Sequence, residues 1–151
     1  MTIRSTLPGF PPERLETMLA DLPPAAGYRV DVKPLRYRTS PHLQALCDWE
    51  SKVITVQVPE PFRPFRDRVP YKAKRIKTRA GYGDRFAFRW FYENVLFRTK
   101  RDVIRFLYCH EYYHYYLREV LGRRGAAETA CDRFALQNFR RRGKRSGPIE
   151  K

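Results

Sequence analysis

The run from Lys100 to Leu121 is the most regular pattern in the sequence, and it predicts one long helix. Apolar side chains and histidines recur along it at steps of three or four, at Val103, Leu107, His110, His114, Leu117 and Leu121. Thr99, followed three residues later by Asp102, predicts an N-cap, and Gly122 predicts the C-terminal end. A helix with one such inward-facing stripe must pack against a sheet or other helices, and it directs both histidines towards the interior.

The remaining pattern predicts a small α+β fold. The chain has 151 residues, which suits a single domain, and most of its 12 prolines precede residue 71, so we expect a loop-rich N-terminal half. These elements predict a short antiparallel or mixed sheet packed against the long helix and a following C-terminal helix. We predict helices over 12–22 and 126–141, strands over 28–32, 43–49 and 52–58 with the last two in a hairpin, an extended loop over 60–69, and a second hairpin with arms at 71–78 and 85–92.

We expect these elements to form one domain over residues 1–141, with a basic hairpin insertion at about 60–92 and a basic tail over 142–151. The formal net charge of +15 is concentrated in two stretches, 63–79 and 140–145, which favours acidic or polyanionic partners, DNA among them. Aromatic residues interleave with the first stretch, a combination that can follow a phosphate backbone and stack on bases; a solvated hairpin face is the alternative. The candidate nucleic-acid contacts are Arg63, Arg66, Lys72, Lys74, Arg75, Lys77 and Arg79.

Nothing in the sequence predicts a membrane protein or a disulfide-rich secreted one. The first 12 residues lack the apolar segment of a signal peptide, and no stretch approaches the ~20 apolar residues that span a bilayer. The three cysteines, Cys47, Cys109 and Cys131, form an odd set without Cys-x-x-Cys spacing, so we expect them to be reduced and mostly buried. We therefore expect a cytoplasmic protein with no membrane partner.

His110 and His114 are four residues apart, so in a helix their imidazoles lie one above the other and can bind one metal ion. Glu111 follows the first histidine, next to the place where a water on that metal would lie. Zinc lowers the pKa of such a water to about 7, and a neighbouring carboxylate can accept its proton and pass it to a leaving amine. The pattern therefore predicts a site for one Zn²⁺ per chain, with Glu111 as general base.

A catalytic zinc site usually has a third protein ligand. The remaining histidine, His42, lies far upstream in a loop and is assigned no role, so a carboxylate is considered first. Glu128 lies early in the last predicted helix, and Asp132 follows four residues later on the same face. Glu128 can bind the metal while Asp132 accepts a hydrogen bond from an imidazole N–H. Cys109 and Cys131 could also bind through thiolates, although buried free cysteines are more often core residues.

The His-Glu-x-x-His pattern at residues 110–114, followed by Glu-x-x-x-Asp-x-Phe-Ala over residues 128–135, resembles the gluzincin zinc peptidases. Within that group the chain resembles the minimal gluzincins and the ImmA/IrrE-type peptidases, which cleave DNA-bound repressors. The resemblance covers about residues 43–58 and 95–140. It implies a zincin-like fold, hydrolysis of peptide bonds in a protein or peptide substrate, and Glu128 as the third zinc ligand.

The same resemblance implies that a strand beside the motif helix binds the substrate in extended form, and residues 52–58 and 85–92 are the candidates. Three alternatives to a constitutively active peptidase stay open. The protein could be a basic nucleic-acid-binding protein whose zinc is structural or whose catalytic site is vestigial. It could act on DNA-bound proteins, as the SprT-like proteases do, although those use a third histidine that this sequence lacks. It could also be a latent enzyme whose cleft is covered by the proline-rich N-terminal segment or by the basic hairpin.

Overall fold

The structure of the protein is a computed structural model that describes residues 1–79, 84–125 and 127–141, apart from the side chains of residues 78, 79, 84 and 85. Its strands are β1 (Thr2–Ser5), β2 (Arg29–Leu35), β3 (Gln44–Asp48), β4 (Val53–Pro59), β5 (Phe65–Arg79) and β6 (Asp84–Phe97). Its helices are α1 (Pro12–Leu19), α2 (Lys100–Tyr115), which continues into a π-helical turn (Tyr116–Val120), and α3 (Glu128–Asn138). The described residues form an α+β fold, as predicted.

Four strands form a mixed sheet in the order β1-β2-β4-β3. β1, β2 and β4 are parallel, and β3 runs antiparallel to β4 in the predicted hairpin, whose turn holds Lys52 at φ 57°. Ile54, Val56 and Val58 alternate along β4 and are fully buried, which fits a strand in the middle of a sheet. The sequence does not predict β1, because a strand of four residues carries too little pattern to be recognised.

β5 and β6 form a separate two-stranded antiparallel sheet, which we call the arm. β5 begins at Phe65, so the predicted loop over residues 60–69 is wrong in its second half. Those residues pair with the C-terminal part of β6, and a bulge between Pro70 and Lys72 accommodates the proline. Residues 80–83 of the predicted turn lie outside the described residues. The base of the arm joins the hydrophobic core through the buried side chains of Val69, Val95 and Phe97.

α2 begins as the sequence predicts and ends differently. The hydroxyl oxygen of Thr99 accepts a hydrogen bond from the backbone N–H of Asp102 at 3.2 Å, which confirms the predicted N-cap. The helix then widens into the π turn, where the N–H of Leu121 donates to the carbonyl of Tyr116 at 3.1 Å. Because a π turn holds more residues than an α turn, later side chains rotate, and Leu121 is 43% exposed instead of facing inward. Gly122, at φ 64°, follows the helix end as predicted.

α3 is shorter than predicted, spanning Glu128–Asn138 rather than 126–141. Ala127 has a non-helical backbone (φ −110°, ψ 60°) and Gly125 has φ 103°, so the chain turns sharply just before the helix. α3 packs against α2 and against β5. This arrangement places the first turn of α3 beside the C-terminal half of α2. The predicted basic tail, 142–151, lies outside the described residues.

One hydrophobic cluster connects the mixed sheet, the helices and the base of the arm. Aromatic rings supply much of it around α2, where Tyr115 packs edge-on against Tyr28 at 4.9 Å between ring centres. Cys109 and Cys131 are buried and Cys47 is half-buried; all three are free thiols, as predicted. Within the described ranges, no helix combines the length and the apolar character that crossing a membrane requires.

Candidate metal centre

Two histidines of α2 and one glutamate of α3 converge between the two helices. Oε2 of Glu128 lies 2.8 Å from Nε2 of His110 and 3.3 Å from Nε2 of His114. The histidine rings lie one helical turn apart, with centroids separated by 5.0 Å. Glu128 reaches the pair from the solvent side, since 64% of its side chain is exposed. The structure therefore brings together the three residues that the sequence predicts as metal ligands.

Asp132, one turn after Glu128 on α3, holds the His110 ring from its other side. Its Oδ1 lies 2.8 Å from Nδ1 of His110. In the neutral ring, the proton on Nδ1 is donated to this carboxylate, which leaves Nε2 with its lone pair directed towards Glu128. Two acceptor atoms, Nε2 of His110 and Oε2 of Glu128, then face each other at 2.8 Å. Such a pair needs a proton or a cation between its members.

The charges of this cluster shift the pKa values of its members in different directions. Burial lowers the pKa of His110, but its hydrogen bond to Asp132 and the charges of the nearby carboxylates outweigh burial and raise that pKa to about 9. Burial and the charge of His110 together lower the pKa of His114. Partial burial raises the pKa of Glu128, but the charges and hydrogen bonds of the two histidines outweigh burial, so the net shift is downward. The cluster as a whole attracts positive charge.

Glu111 lies beside the three converging atoms. Its Oε2 is 3.7 Å from Nε2 of His110, and its carboxylate accepts a hydrogen bond from the backbone N–H of Cys47 on β3. Burial raises the pKa of Glu111 to about 7; the charge of His110 opposes the shift, and the charges of Glu128 and Asp132 add to it. A carboxyl group with a pKa near neutrality is suited both to accept and to release a proton.

The structure adds Cys131 to the cluster, whereas the sequence favours a role for it in the core. The thiol is fully buried, and its sulfur and one nitrogen from each of His110 and His114 all lie within 4.8 Å of one another. These three side chains could hold a metal ion. Burial raises the pKa of the Cys131 thiol, and the nearby carboxylates raise it further, so the protonated form is favoured without a metal. The sequence feature that could have identified Cys131 as a ligand is its position three residues after Glu128, which puts it on the same side of α3.

A cleft of about 350 Å³ opens between β3 and α2, next to His110 and Glu111. Asp67 and Asp132 also line it, so the cleft is acidic although the chain carries a net charge of +15. Burial raises the pKa of Asp67. The sequence does not single out Asp67, because it falls in the stretch predicted as a loop and reaches the cleft only through the pairing of β5 with β6.

Comparisons with protein-family models, with curated proteins and with solved structures gave no match. The resemblance to the gluzincins therefore stays a prediction from the sequence, and the site has to be judged by its own chemistry. Imidazole nitrogen, carboxylate oxygen and thiolate sulfur are the ligand types that bind Zn²⁺ in proteins. All three types meet between α2 and α3, next to a buried carboxyl group in an open cleft.

The strand that presents a free edge to this cleft is β3. β4 pairs with β2 on one side and with β3 on the other, so the prediction that residues 52–58 receive an extended substrate is wrong. Gln44 and Ala45 of β3 line the cleft together with His110 and Glu111, so the unpaired edge of β3 lies beside the metal centre. Among the described residues that line the cleft, none belongs to β6, which leaves residues 85–92 without a contact to it.

The strand register divides the basic residues predicted to contact nucleic acid between two faces of the arm. Directly opposed residues in an antiparallel pair point to the same face, and neighbours along a strand point to opposite faces. The outer face contains Arg66, Arg68, Pro70, Ala73, Arg75 and Lys77 of β5 with Phe86, Phe88, Trp90, Tyr92, Asn94 and Leu96 of β6. Lys72 and Lys74 belong to the inner face, which joins the core at its base.

Two further candidates lie outside this division. Arg63 precedes the arm, and its Nη2 donates a hydrogen bond to the carbonyl of Thr39 at 2.8 Å. Arg79 pairs with β6 through its backbone, and its side chain is not among those described. His42, to which the sequence assigns no role, is exposed. The predicted contacts thus form one partial surface, the outer face, rather than a continuous basic hairpin.

Proposed function

We propose that the protein is a zinc-dependent peptidase with a zincin-like site, in which His110, His114 and Glu128 hold the metal ion. The observation that carries this proposal is the convergence of both Nε2 atoms on Oε2 of Glu128, at 2.8 and 3.3 Å. The donor set fits zinc because imidazole and carboxylate are zinc ligand types, and a divalent cation could replace the proton that His110, with its raised pKa, holds between Nε2 and Oε2 of Glu128. Asp132 supports the assignment, since it orients His110 in the way that carboxylates orient metal-binding histidines.

Glu111 is the proposed general base. A bound zinc ion would supply Lewis-acid chemistry, polarising the scissile carbonyl and lowering the pKa of a water. Glu111 accepts a proton from the attacking water as the new C–O bond forms, and it donates that proton to the leaving amine when the C–N bond breaks. One water is consumed, and the carboxylate is regenerated. The raised pKa of Glu111, about 7, suits both transfers.

The free edge of β3 supports an extended peptide as the substrate. Main-chain N–H and C=O groups along a sheet edge can pair with a peptide in β conformation. The contact from Cys47 to Glu111 ties this edge to the proposed base, so a paired peptide would run past it. The three free thiols agree with a reducing compartment, and on this ground we extend the proposal to a cytoplasmic location.

A structural zinc site is the main alternative, and Cys131 is the observation that favours it. Structural zinc sites are closed by four protein ligands, whereas catalytic sites keep one position open. His110, His114, Glu128 and Cys131 together would supply four. Glu111 argues for the catalytic alternative, because a structural site gains nothing from a buried carboxyl group beside its ligands.

Metal analysis combined with a hydrolysis assay tests the proposal. The purified protein should contain one zinc ion per chain and should cleave a mixture of unfolded polypeptides, assayed before and after limited proteolysis to release any latent form. Glu111→Gln should keep its zinc and lose about 10²- to 10⁴-fold in rate. His114→Ala should lose both zinc and activity, and Glu13→Gln on α1 serves as the surface control. Unchanged cleavage by Glu111→Gln would refute the mechanism.

A further inference from the structure

The outer face of the arm carries a row of exposed aromatic rings that the proposed peptidase site does not use. Phe86, Phe88, Trp90 and Tyr92 are 55%, 63%, 45% and 42% exposed. Single exposed apolar side chains are common, but a contiguous patch of large ones indicates an interaction surface. The four rings occupy every second position of one strand, so they form a straight row.

The spacing of this row is informative about its partner. With about 3.4 Å per residue along a strand, successive rings on one face are about 7 Å apart. That distance is twice the roughly 3.4 Å between stacked bases along one strand of a duplex. The row therefore suits bases that are drawn apart in an extended single strand, each of which can lie against an aromatic ring. The stacked bases of a duplex would offer it no open faces.

Positive charge accompanies the rings on the same face. The guanidinium of Arg75 lies 3.8 Å from the ring centre of Phe86, and that of Arg68 lies 4.2 Å from the ring centre of Tyr92. Phe88 is located between these two pairs along the row, directly opposite Arg75. Among the outer-face side chains that the structure describes, none is acidic. Rings that can stack on bases, on β6, thus lie beside cations that can hold phosphates, on β5.

The outer face continues at its base into a basic cleft of about 600 Å³. Among the residues lining this cleft, the one acidic side chain is Asp102, whose Oδ2 already accepts a hydrogen bond from the backbone N–H of Arg98 at 3.0 Å. Clustered guanidinium groups bind phosphate oxygens with paired hydrogen bonds. The arginines of this cleft are Arg66, Arg98, Arg101 and Arg140.

From this juxtaposition we propose that the outer face of the arm binds single-stranded nucleic acid, with bases stacked on Phe88 and Trp90 and phosphates held at Arg75 and in the basic cleft. The contacts are to base planes and phosphates, which DNA and RNA share. A second copy of the chain is a poorer partner, because two outer faces would bring like charges together. The row of rings follows the arm, which favours a linear polyanion over a membrane surface.

The proposed binding face is separate from the metal centre. Arg66 and Asp67 are consecutive residues of β5, so their side chains point to opposite faces of the arm. Arg66 lines the basic cleft, and Asp67 lines the acidic cleft beside His110. A nucleic acid and a peptide could therefore be bound at the same time. The proposal does not depend on the proposed peptidase activity, and each can fail alone.

Fluorescence anisotropy of a labelled oligodeoxythymidine of about 16 nucleotides, the upper end of common single-strand site sizes, tests the proposal. The double variant Phe88→Ala/Trp90→Ala should weaken binding by about tenfold or more, because stacking on each ring contributes strongly. The single variant Trp90→Phe, which keeps a ring at this position, should retain most of the wild-type affinity. In a Trp49→Phe background, where Trp90 is the remaining tryptophan, binding should quench its emission. An oligouridine of equal length should bind comparably.

A charge-matched pair of variants separates the outer face from general electrostatic attraction. Arg66→Ala/Arg75→Ala and Lys72→Ala/Lys74→Ala each remove two positive charges from β5, the first pair from the outer face and its basic cleft and the second from the inner face. Log affinity falls as log salt rises, and the outer pair should make this slope shallower by about 1.4, the value for two lost single-strand phosphate contacts. The inner pair should leave the slope nearly unchanged. Both charge variants, like Phe88→Ala/Trp90→Ala and Trp90→Phe, should keep their zinc content and peptide hydrolysis.

Three results would overturn the proposal. Equal losses from the outer and inner charge pairs would mean that attraction is diffuse rather than localised on the outer face. Binding of a duplex of equal length as tightly as the single strand would rule out stacking on the row of rings. Binding of phosphatidylserine vesicles, with no binding of either oligonucleotide, would identify the arm as a membrane-contacting element instead.

Discussion

Two polar centres tie α2 to the rest of the protein, and they differ in how their hydrogen-bonding groups are satisfied. Near the start of the helix, Arg105 is 0% exposed, and each of its five N–H groups has an acceptor. At the metal centre, further along the same helix, Nε2 of His110 lies 2.8 Å from Oε2 of Glu128, and a proton joins the two atoms only while His110 is charged. The acceptors around Arg105 are the carboxylate of Asp21 and the carbonyls of Met18, Phe139 and Arg141.

This difference separates a group that stabilises the fold from groups that require a ligand. A buried guanidinium with a paired carboxylate and no donor left over is complete in itself, and it joins α1, α2 and the end of α3. The metal centre also joins α2 to α3, but it is complete only when a proton or a metal ion lies between Nε2 of His110 and Oε2 of Glu128. Removing the first should cost stability without affecting metal binding, and removing the second should abolish metal binding together with the stability that zinc adds.

Replacing Arg105 should have the largest effect. Arg105→Met removes the guanidinium and leaves the Asp21 carboxylate and three backbone carbonyls without their donors, so we expect a loss of about 3–5 kcal/mol in the free energy of unfolding. Urea unfolding in the presence of a chelator measures it with the metal absent from both proteins. Arg101→Met, at an exposed position of the same helix, should change stability by less than about 0.5 kcal/mol. Equal effects of the two substitutions would show that burial of Arg105 contributes little.

Zinc should stabilise the protein by an amount that does not depend on the Arg105 centre. At a free zinc concentration of about 100 times Kd, the free energy of unfolding should rise by about 2.7 kcal/mol. His114→Ala should abolish this increment, whereas Arg105→Met should keep it, because the variant lacks no metal ligand. Thermal unfolding with zinc and with a chelator provides both values for each protein. An increment of the same size in His114→Ala would place the metal elsewhere in the chain.

The third ligand decides between an open and a closed metal centre. Glu128→Gln should weaken zinc binding by about 100-fold or more, since loss of residues that only orient ligands already weakens it 10- to 100-fold. Cys131→Ser should weaken it by less than about threefold, because the buried thiol has a raised pKa and the site retains its other ligands. Competition with a metal indicator measures both affinities. A large loss in both variants, with thiolate absorption in the cobalt form, would indicate a closed structural site.

The contrast between the two centres also explains what the sequence could predict. His110 and His114 are four residues apart on one helix, and Glu128 follows in the next helix, so local spacing was enough to group them. Arg105 is one more basic residue in a chain rich in them, and its partner Asp21 is 84 positions away. No local pattern distinguishes a buried arginine from a solvated one, because its burial is decided by how α1 and α3 pack.

The same limit applies to the sheet. The strongly β-prone residues 53–58 predict a strand correctly, but its place in the middle of the sheet depends on β2 and on the unpredicted β1, both distant in sequence. For this reason the sequence could not show that β3 holds the free edge at the metal centre. Asp67 is a similar case, since it reaches the acidic cleft through the pairing of two strands rather than through any local signal.

The smallest expected effect concerns the response of the Arg105 centre to acid. Burial raises the pKa of Asp21, but the hydrogen bonds and charge of Arg105 outweigh burial, and the net pKa lies below the usual 3.8. A carboxyl group whose pKa is lower in the folded state contributes stability that is complete above its unfolded pKa, about 3.9, and is lost as the pH falls through the folded value.

Below about pH 4 the wild-type protein should therefore lose stability more steeply than Asp21→Asn, which lacks this titration. Above that pH the two curves should run parallel, separated by the cost of leaving Arg105 without its carboxylate. Chelator-treated protein, unfolded with urea at a series of pH values, provides the curves, and Glu16→Gln on the nearby helix α1 is the control. Parallel curves through the acid range would mean that Asp21 is not ionised in the folded protein, and that Arg105 is held by the backbone carbonyls alone.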